Sequence, residues 1–173
     1  MSRKLETATN IAILLTCVLA STVLVRKLNL FRLGNNNAIY ALKTGDVIPP
    51  PWGVRPRANE TTVVAVVRST CRFCTASIPF YREVMLTGRR ASSSRPVRFV
   101  VVSDETSAVT AAYLSSHGLS GAQIISAPAA TLRVAGTPTL LVVDESGIIR
   151  DRRVGQLSLE MQREFLHGVV HAN

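Results

Sequence analysis

Apolar and polar positions alternate along this chain in runs whose period changes several times. From Thr7 to Val25 there is no charge, and Ile11–Val25 is strongly apolar. Nineteen helical residues rise about 28 Å, close to the hydrocarbon thickness of a bilayer, so a membrane-spanning helix is expected. A cleaved signal segment ending near Val18–Leu19–Ala20 is the alternative. The apolar run continues past Ala20 to Val25, which favours the uncleaved anchor. A connector, Gly34–Glu60, follows, with Asn35–Asn37 and the run Ile48-Pro49-Pro50-Pro51-Trp52-Gly53. Its prolines force an extended course. Trp52 in such a setting is expected to pin the loop onto the domain.

Beyond the connector, strand and helix patterns alternate. Thr62–Arg68 is a continuous β-branched run, read as a strand buried on both faces. Cys71 to about Thr87 has helical spacing, with Ile78, Tyr81, Val84 and Met85 on one side and Gly88 as a stop. Ser92–Pro96 reads as a loop and Val97–Ser103 as a second buried strand. Asp104 or Thr106 can cap a helix that runs to His117 and ends at Gly118. Gln123–Ser126 is a candidate short strand, and Pro128–Val134 a short helix. Thr139–Asp144 and Ile148–Val154 form a hairpin around Glu145-Ser146-Gly147, and Leu159–Val170 is a closing amphipathic helix. The order predicts an α/β architecture, a central mixed β-sheet flanked by helices, behind an N-terminal transmembrane helix. The segments are 1–33 (anchor), 34–60 (connector and domain lead-in) and 61–173 (the α/β domain).

Charge adds one question. The net charge is +9, almost all from arginine, and a basic chain raises nucleic-acid binding. The arginines are spread from Arg3 to Arg163, and no basic run is interleaved with aromatics. A solvated basic surface attracted to anionic headgroups fits better than nucleic acid.

The candidate chemistry lies in cysteine. Of three cysteines, Cys17 falls in the apolar segment, which leaves Cys71-Arg72-Phe73-Cys74 in the globular part. The pair directly follows a buried strand and opens a helix. A helix N-terminus offers free N–H groups and positive potential, which stabilise a thiolate at Cys71. Arg68 and Arg72 can add to that potential. The spacing lets Cys74, one turn on, attack a mixed disulfide at Cys71 and release the product. Zinc normally needs four ligands, no second pair exists, and His117, His167 and His171 are distant in sequence, so no metal is expected. Haem attachment needs a histidine after the pair, where Thr75 stands. A structural disulfide closing so small a loop would contribute little stability. A second element, Gly136-Thr137-Pro138-Thr139, precedes the apolar strand. Proline is allowed there, in trans or in cis.

A strand, a C-x-x-C at a helix start, and a later Gly-Thr-Pro before a hairpin and final helix resemble the thioredoxin superfamily. The likeness is to its membrane-anchored redoxin branch, over about Thr44–Val170. Gly45-Asp46-Val47-Ile48-Pro49 is similar to a redoxin lead-in, and Pro79 to the proline that kinks the active-site helix. The resemblance implies Cys71 as nucleophile, Cys74 as resolving cysteine, and Pro138 as a cis-proline facing them. Thr137 would then offer its backbone to substrate, with Arg68, Arg72, Phe73 and Pro79 supporting the site. It also implies disulfide exchange with protein thiols, no bound cofactor beyond the Cys71–Cys74 disulfide, and a partner redox protein giving or taking electrons. Three departures stand out: Thr70 where many relatives carry Trp, Ala65 where thioredoxins bury an acid, and Ser77 where the cytochrome-maturation branch often has Glu.

Two rival readings accompany this one. A thiol peroxidase usually shows Pro-x-x-x-Thr-x-x-Cys; counting back gives Val64 and Arg68 from Cys71, and Val67 and Cys71 from Cys74. The other is a tethered, non-catalytic interaction module with a structural disulfide. Flanking Lys and Arg lean slightly toward a cytoplasmic C-terminal side. Disulfide chemistry suits an oxidising space, so the expected location is a membrane-anchored domain on the periplasmic side, with residues 7–25 in lipid.

Overall fold

The computed structural model describes residues 41–90 and 96–171, together with Leu19, Ser21 and Thr22. The chain divides into two compact units, Met1–Ile39 and Tyr40–Asn173. The expected anchor falls in the first unit, almost wholly outside the described residues. Among the described residues, no helix is long and apolar enough to cross a membrane. Most of the expected Ser92–Pro96 loop also lies outside them.

In the second unit the elements follow in the order β1 (Thr61–Val66), α1 (Arg72–Arg90), β2 (Val97–Ser103), α2 (Ser107–Ser116), β3 (Gln123–Ser126), β4 (Thr139–Val143), β5 (Ile149–Val154) and α3 (Leu159–His171). The sheet order is β3-β2-β1-β4-β5. β1, β2 and β3 run parallel, and β4 and β5 are antiparallel to their neighbours. β1 therefore lies in the middle, with all six residues buried, as its unbroken apolar run requires.

Each face of the sheet has its own core. One contains Val63 and Ala65 of β1, Phe99 of β2, and residues from all three helices, among them Ile78, Tyr81, Leu114 and Phe165. The opposite core contains Val64, Val66, Val100, Val102 and Leu141, covered by Leu42, Ile48, Trp52 and Val54 from the segment before β1. Its cover also includes Ala127 and Leu132. The Pro-rich stretch, expected to be extended throughout, instead closes a 3-10 turn at Pro50–Trp52, where proline suits the first helical positions, and forms one wall of the domain. Trp52 is fully buried, and its Nε1–H donates to the Thr131 carbonyl at 2.8 Å.

Two boundaries differ from expectation. Gly88 does not stop α1, which continues to Arg90. A Cβ at Gly88 would come within 2.6 Å of the Val97 carbonyl oxygen, so glycine there lets the helix pass close to β2. The Pro128–Val134 helix contracts to a single 3-10 turn, Ala129–Thr131, and Arg133 takes a left-handed φ of 46° that helix cannot continue through. α2 begins as expected at Thr106, whose Oγ1 accepts from the Val109 N–H.

Candidate active site

β1 ends in the core, and the chain leaves it through Val67–Thr70 to reach α1. The Val67 N–H still donates to Val102 of β2, and the Cys71 N–H closes a turn onto the Arg68 carbonyl. Cys71 is thereby delivered to the N-terminus of α1, half-buried, while Cys74 one turn on is fully buried. Both are free thiols. The Cys74 N–H donates to Cys71 Sγ at 3.2 Å, and the Cys71 thiol donates to the Thr137 carbonyl at 3.3 Å. The Thr137–Pro138 peptide is cis, and Pro138 is anchored by its own carbonyl, which accepts from Gly155 N–H at 2.7 Å.

These contacts divide the two sulfurs. Burial pushes the Cys71 thiol up, but hydrogen bonds from the Cys74 and Thr137 side chains and from the Cys74 and Phe73 backbone outweigh it. The net shift is downward, favouring a thiolate. Cys74 goes the other way: burial, and then its hydrogen bond to Cys71, push it up to about 12. One sulfur is accessible and easily ionised; the other is shielded and protonated.

The remaining expected site residues fall in different places. Arg68 forks onto the Asp104 carboxylate at 2.9 and 2.5 Å, so its charge is committed to an ion pair at the end of β2. The main support of a Cys71 thiolate is hydrogen bonding. Arg72 lies 4.6 Å over the ring of Phe73, and both are exposed beside Cys71. Pro79 sits inside α1, where its missing N–H leaves the Thr75 carbonyl without the usual helical donor. Ser77 is buried and donates to the Phe73 carbonyl at 2.8 Å.

Sequence reasoning missed a bracket beneath the cysteine loop. The Ser69 N–H and hydroxyl both donate to Glu105, at 2.8 and 2.5 Å, next to the Arg68–Asp104 pair. The available signal is topological: loops that leave the same ends of two neighbouring parallel strands must meet. Also missed is Tyr113, whose hydroxyl lies 3.2 Å from that of Thr75, the residue after Cys74. Among the described residues, no cluster of three or more His, Cys, Asp or Glu is placed to hold a metal.

Neither a family model nor a curated protein matches the sequence. Solved structures do. A Chlorobium tepidum protein assigned as the thiol:disulfide interchange protein DsbE superposes with a TM-score of 0.56 at 18% identity, over 73% of this chain and 99% of its own. The fold is thioredoxin-like. A second Chlorobium tepidum structure, a thiol:disulfide interchange protein of the thioredoxin family, gives 0.51 at 22% identity over 64% and 78% of the two chains. A thiol-disulfide isomerase from Corynebacterium glutamicum gives 0.50 at 16% over 75% and 94%. Identities this low carry the fold alone. In the thioredoxin-like domain described here, the C-x-x-C occupies the junction between the central strand and the first helix, facing a cis-proline loop.

Proposed function

We propose that this protein is a thiol–disulfide oxidoreductase that exchanges dithiol and disulfide with protein substrates through Cys71 and Cys74. One observation carries the reading: a half-exposed Cys71 with a lowered pKa, hydrogen-bonded against the Thr137 carbonyl, stands over a fully buried Cys74 whose pKa is raised. The interchange activities named for the structural neighbours support it.

In the reducing direction, the Cys71 thiolate attacks a substrate disulfide. A Cys71–substrate S–S bond forms, and the first substrate sulfur leaves as a thiolate that takes up a proton. Cys74 then attacks Cys71 Sγ. The Cys71–Cys74 bond forms, the second substrate sulfur leaves, and the Cys74 proton balances its charge. The substrate gains two electrons and the pair becomes a disulfide; the reverse sequence oxidises a substrate dithiol. No cofactor enters, and a partner redox protein resets the pair. Phe73 and Thr137 flank Cys71 and form the surface a substrate chain meets. In this reading residues 7–25 tether the domain to the membrane on its extracytoplasmic side.

The test is trapping in membranes. Cys74→Ser is expected to accumulate reducible mixed disulfides through Cys71, and Cys71→Ser to give none. Failure of Cys74→Ser to trap any protein, together with no turnover of a model disulfide, would refute the reading. Protease accessibility on intact cells checks the orientation.

A further inference from the structure

The exchange proposed above depends on where Cys71 Sγ is held, and the stretch that delivers it has no anchor in the core. Arg68, Ser69 and Thr70 put no side chain into either core cluster. Their turn closes on itself through the Cys71 N–H and the Arg68 carbonyl, at 3.1 Å. Any displacement of the turn carries Cys71 Sγ away from the Cys74 N–H and the Thr137 carbonyl, 3.2 and 3.3 Å distant. Hydrogen bonds weaken steeply with such misalignment.

Two consecutive acids in the loop after β2 reach across to this turn. Arg68 forks onto Asp104, but its side chain is 48% exposed, so water screens the pair and its net hold is small. Glu105 holds more firmly. Its Oε2 accepts from the Ser69 N–H at 2.8 Å and its Oε1 from the Ser69 hydroxyl at 2.5 Å, both half-buried. Hydrogen bonds to a carboxylate are among the strong ones. Glu105 is itself fastened to the sheet. Its N–H donates to Ser103 Oγ at 3.2 Å, and the Ser103 hydroxyl donates back to Oε2 at 3.4 Å. Its carbonyl accepts from the Ser126 hydroxyl at 2.8 Å. Ser103 is fully buried, and Ser103 and Ser126 end β2 and β3 opposite each other. Support therefore runs from two strand ends, through one carboxylate, to the residue two positions before the nucleophile.

We propose that Glu105 is a positioning residue for the nucleophile: by holding both donors of Ser69, it fixes the Arg68–Cys71 turn so that Cys71 Sγ stays against the Cys74 N–H and the Thr137 carbonyl. The inference rests on the oxidoreductase reading and deepens it. Charge and position act in opposite senses here. As a negative charge beside the cysteine loop, Glu105 opposes a thiolate. As a clamp, it preserves the hydrogen bonds that favour one. The other charged groups of the two loops are Arg68 and Asp104, and Arg72 stands at the adjoining helix end. The turn also bears on the second sulfur. Burial, and then its hydrogen bond to Cys71, raise the Cys74 thiol, while a hydrogen bond from the Arg68 backbone works against both.

The test follows alkylation of Cys71 by iodoacetamide against pH, using the full chain in a Cys74→Ser background. Glu105→Ala removes clamp and charge together. Glu105→Gln removes the charge and keeps both contacts: its oxygen accepts from the Ser69 N–H, and its amide donates to the hydroxyl, which rotates to accept. In Glu105→Ala the midpoint is expected to move about one unit toward alkali, slowing alkylation by up to about tenfold below both midpoints. In Glu105→Gln it should stay or move slightly down. Ser69→Ala keeps the N–H and loses the hydroxyl, so it should move the midpoint up by less. Ser69→Ala added to Glu105→Ala should change nothing further, as expected of two residues in one contact. A Glu105→Ala protein that melts lower but keeps the parental midpoint overturns the proposal, because its role is then structural alone. Equal shifts in the two Glu105 variants, or additive shifts in the double variant, overturn it too. Should Glu105→Ala fail to fold, Ser69→Ala decides, and an unchanged midpoint there overturns the proposal. If Cys71 of the Cys74→Ser parent traps no protein and the native pair turns over no model disulfide, the oxidoreductase reading fails, and this one fails with it. If that parent traps partners while the midpoint ignores Ser69 and Glu105, this proposal alone fails.

Discussion

At Cys71 and Cys74, two identical side chains three positions apart acquire opposite acid–base character from their surroundings. Cys71 shares its sulfur among several donors, while Cys74 is enclosed by core. The pH profile of Cys71 alkylation should therefore have its midpoint below that of an unperturbed thiol, near 8.5. The linked stabilities have opposite signs. Cys74, raised in the folded state, contributes stability that is present below about pH 8.5 and is lost as pH climbs toward about 12. Cys71, lowered in the fold, gains across its own window as pH rises. Denaturant titrations of the reduced protein should show an alkaline loss that Cys74→Ala reduces. A loss of the same size in both proteins would contradict this assignment.

The elements show what a hydrophobic pattern reveals and where it stops. β2 and β3 were legible to the residue, because their apolar runs end at a loop proline or at polar residues. The hairpin was legible through Asp144-Glu145-Ser146-Gly147, where Gly147 takes a φ of 83°. Asp144 Oδ1 accepts from the N–H groups of Ser146 and Ile148, and Oδ2 meets Arg150. Burial raises its pKa, but the Ile148 N–H, Arg150 and the Ser146 N–H outweigh that and hold it below the usual carboxylate range. Its stabilisation is thus full above about pH 3.9 and is lost as pH falls through the lower folded value. Asp144→Ala should cost about 1–2 kcal/mol at neutral pH, measured by urea denaturation, with the gap closing in acid. Gly88 was misread because glycine looks the same whether it ends a helix or lets one pass close to a strand. Gly88→Ala should cost about 1–3 kcal/mol through its collision with Val97. In the site, the cysteine pair and Gly-Thr-Pro were legible as local motifs. The Ser69–Glu105 bracket was not, since it depends on which strands become neighbours.

For the domain as a whole, the largest revision concerns the segment before β1. Its prolines predict an extended course, which the 3-10 turn at Pro50–Trp52 interrupts, and nothing in its local pattern says that it roofs one face of the sheet. Leu42, Ile48, Trp52 and Val54 close over Val64, Val66, Val100 and Val102, and among the described residues no α-helix contributes to that core. Trp52→Ala should cost about 3–5 kcal/mol, as removal of a large buried aromatic does. A chain beginning at residue 61 should bind a hydrophobic dye and lose cooperative melting, because that face would open to water. A sharp melt of this shortened chain at the parental temperature would contradict the role given to the segment.

The position of the site on the sheet has a further consequence. Cys71 is reached from β1 and Pro138 leads into β4, and these strands pair directly, Val66 with Thr139, inside the five-stranded sheet. Neither arm hangs from an edge that can fray alone. Separating them means opening the centre of the ladder, which in proteins tends to require the global unfolding free energy. The backbone amides of Val64 and Val66 should be among the slowest to exchange with deuterium. Activity lost in denaturant should track whole-domain unfolding, with no earlier phase in which an intact fold carries a dismantled centre.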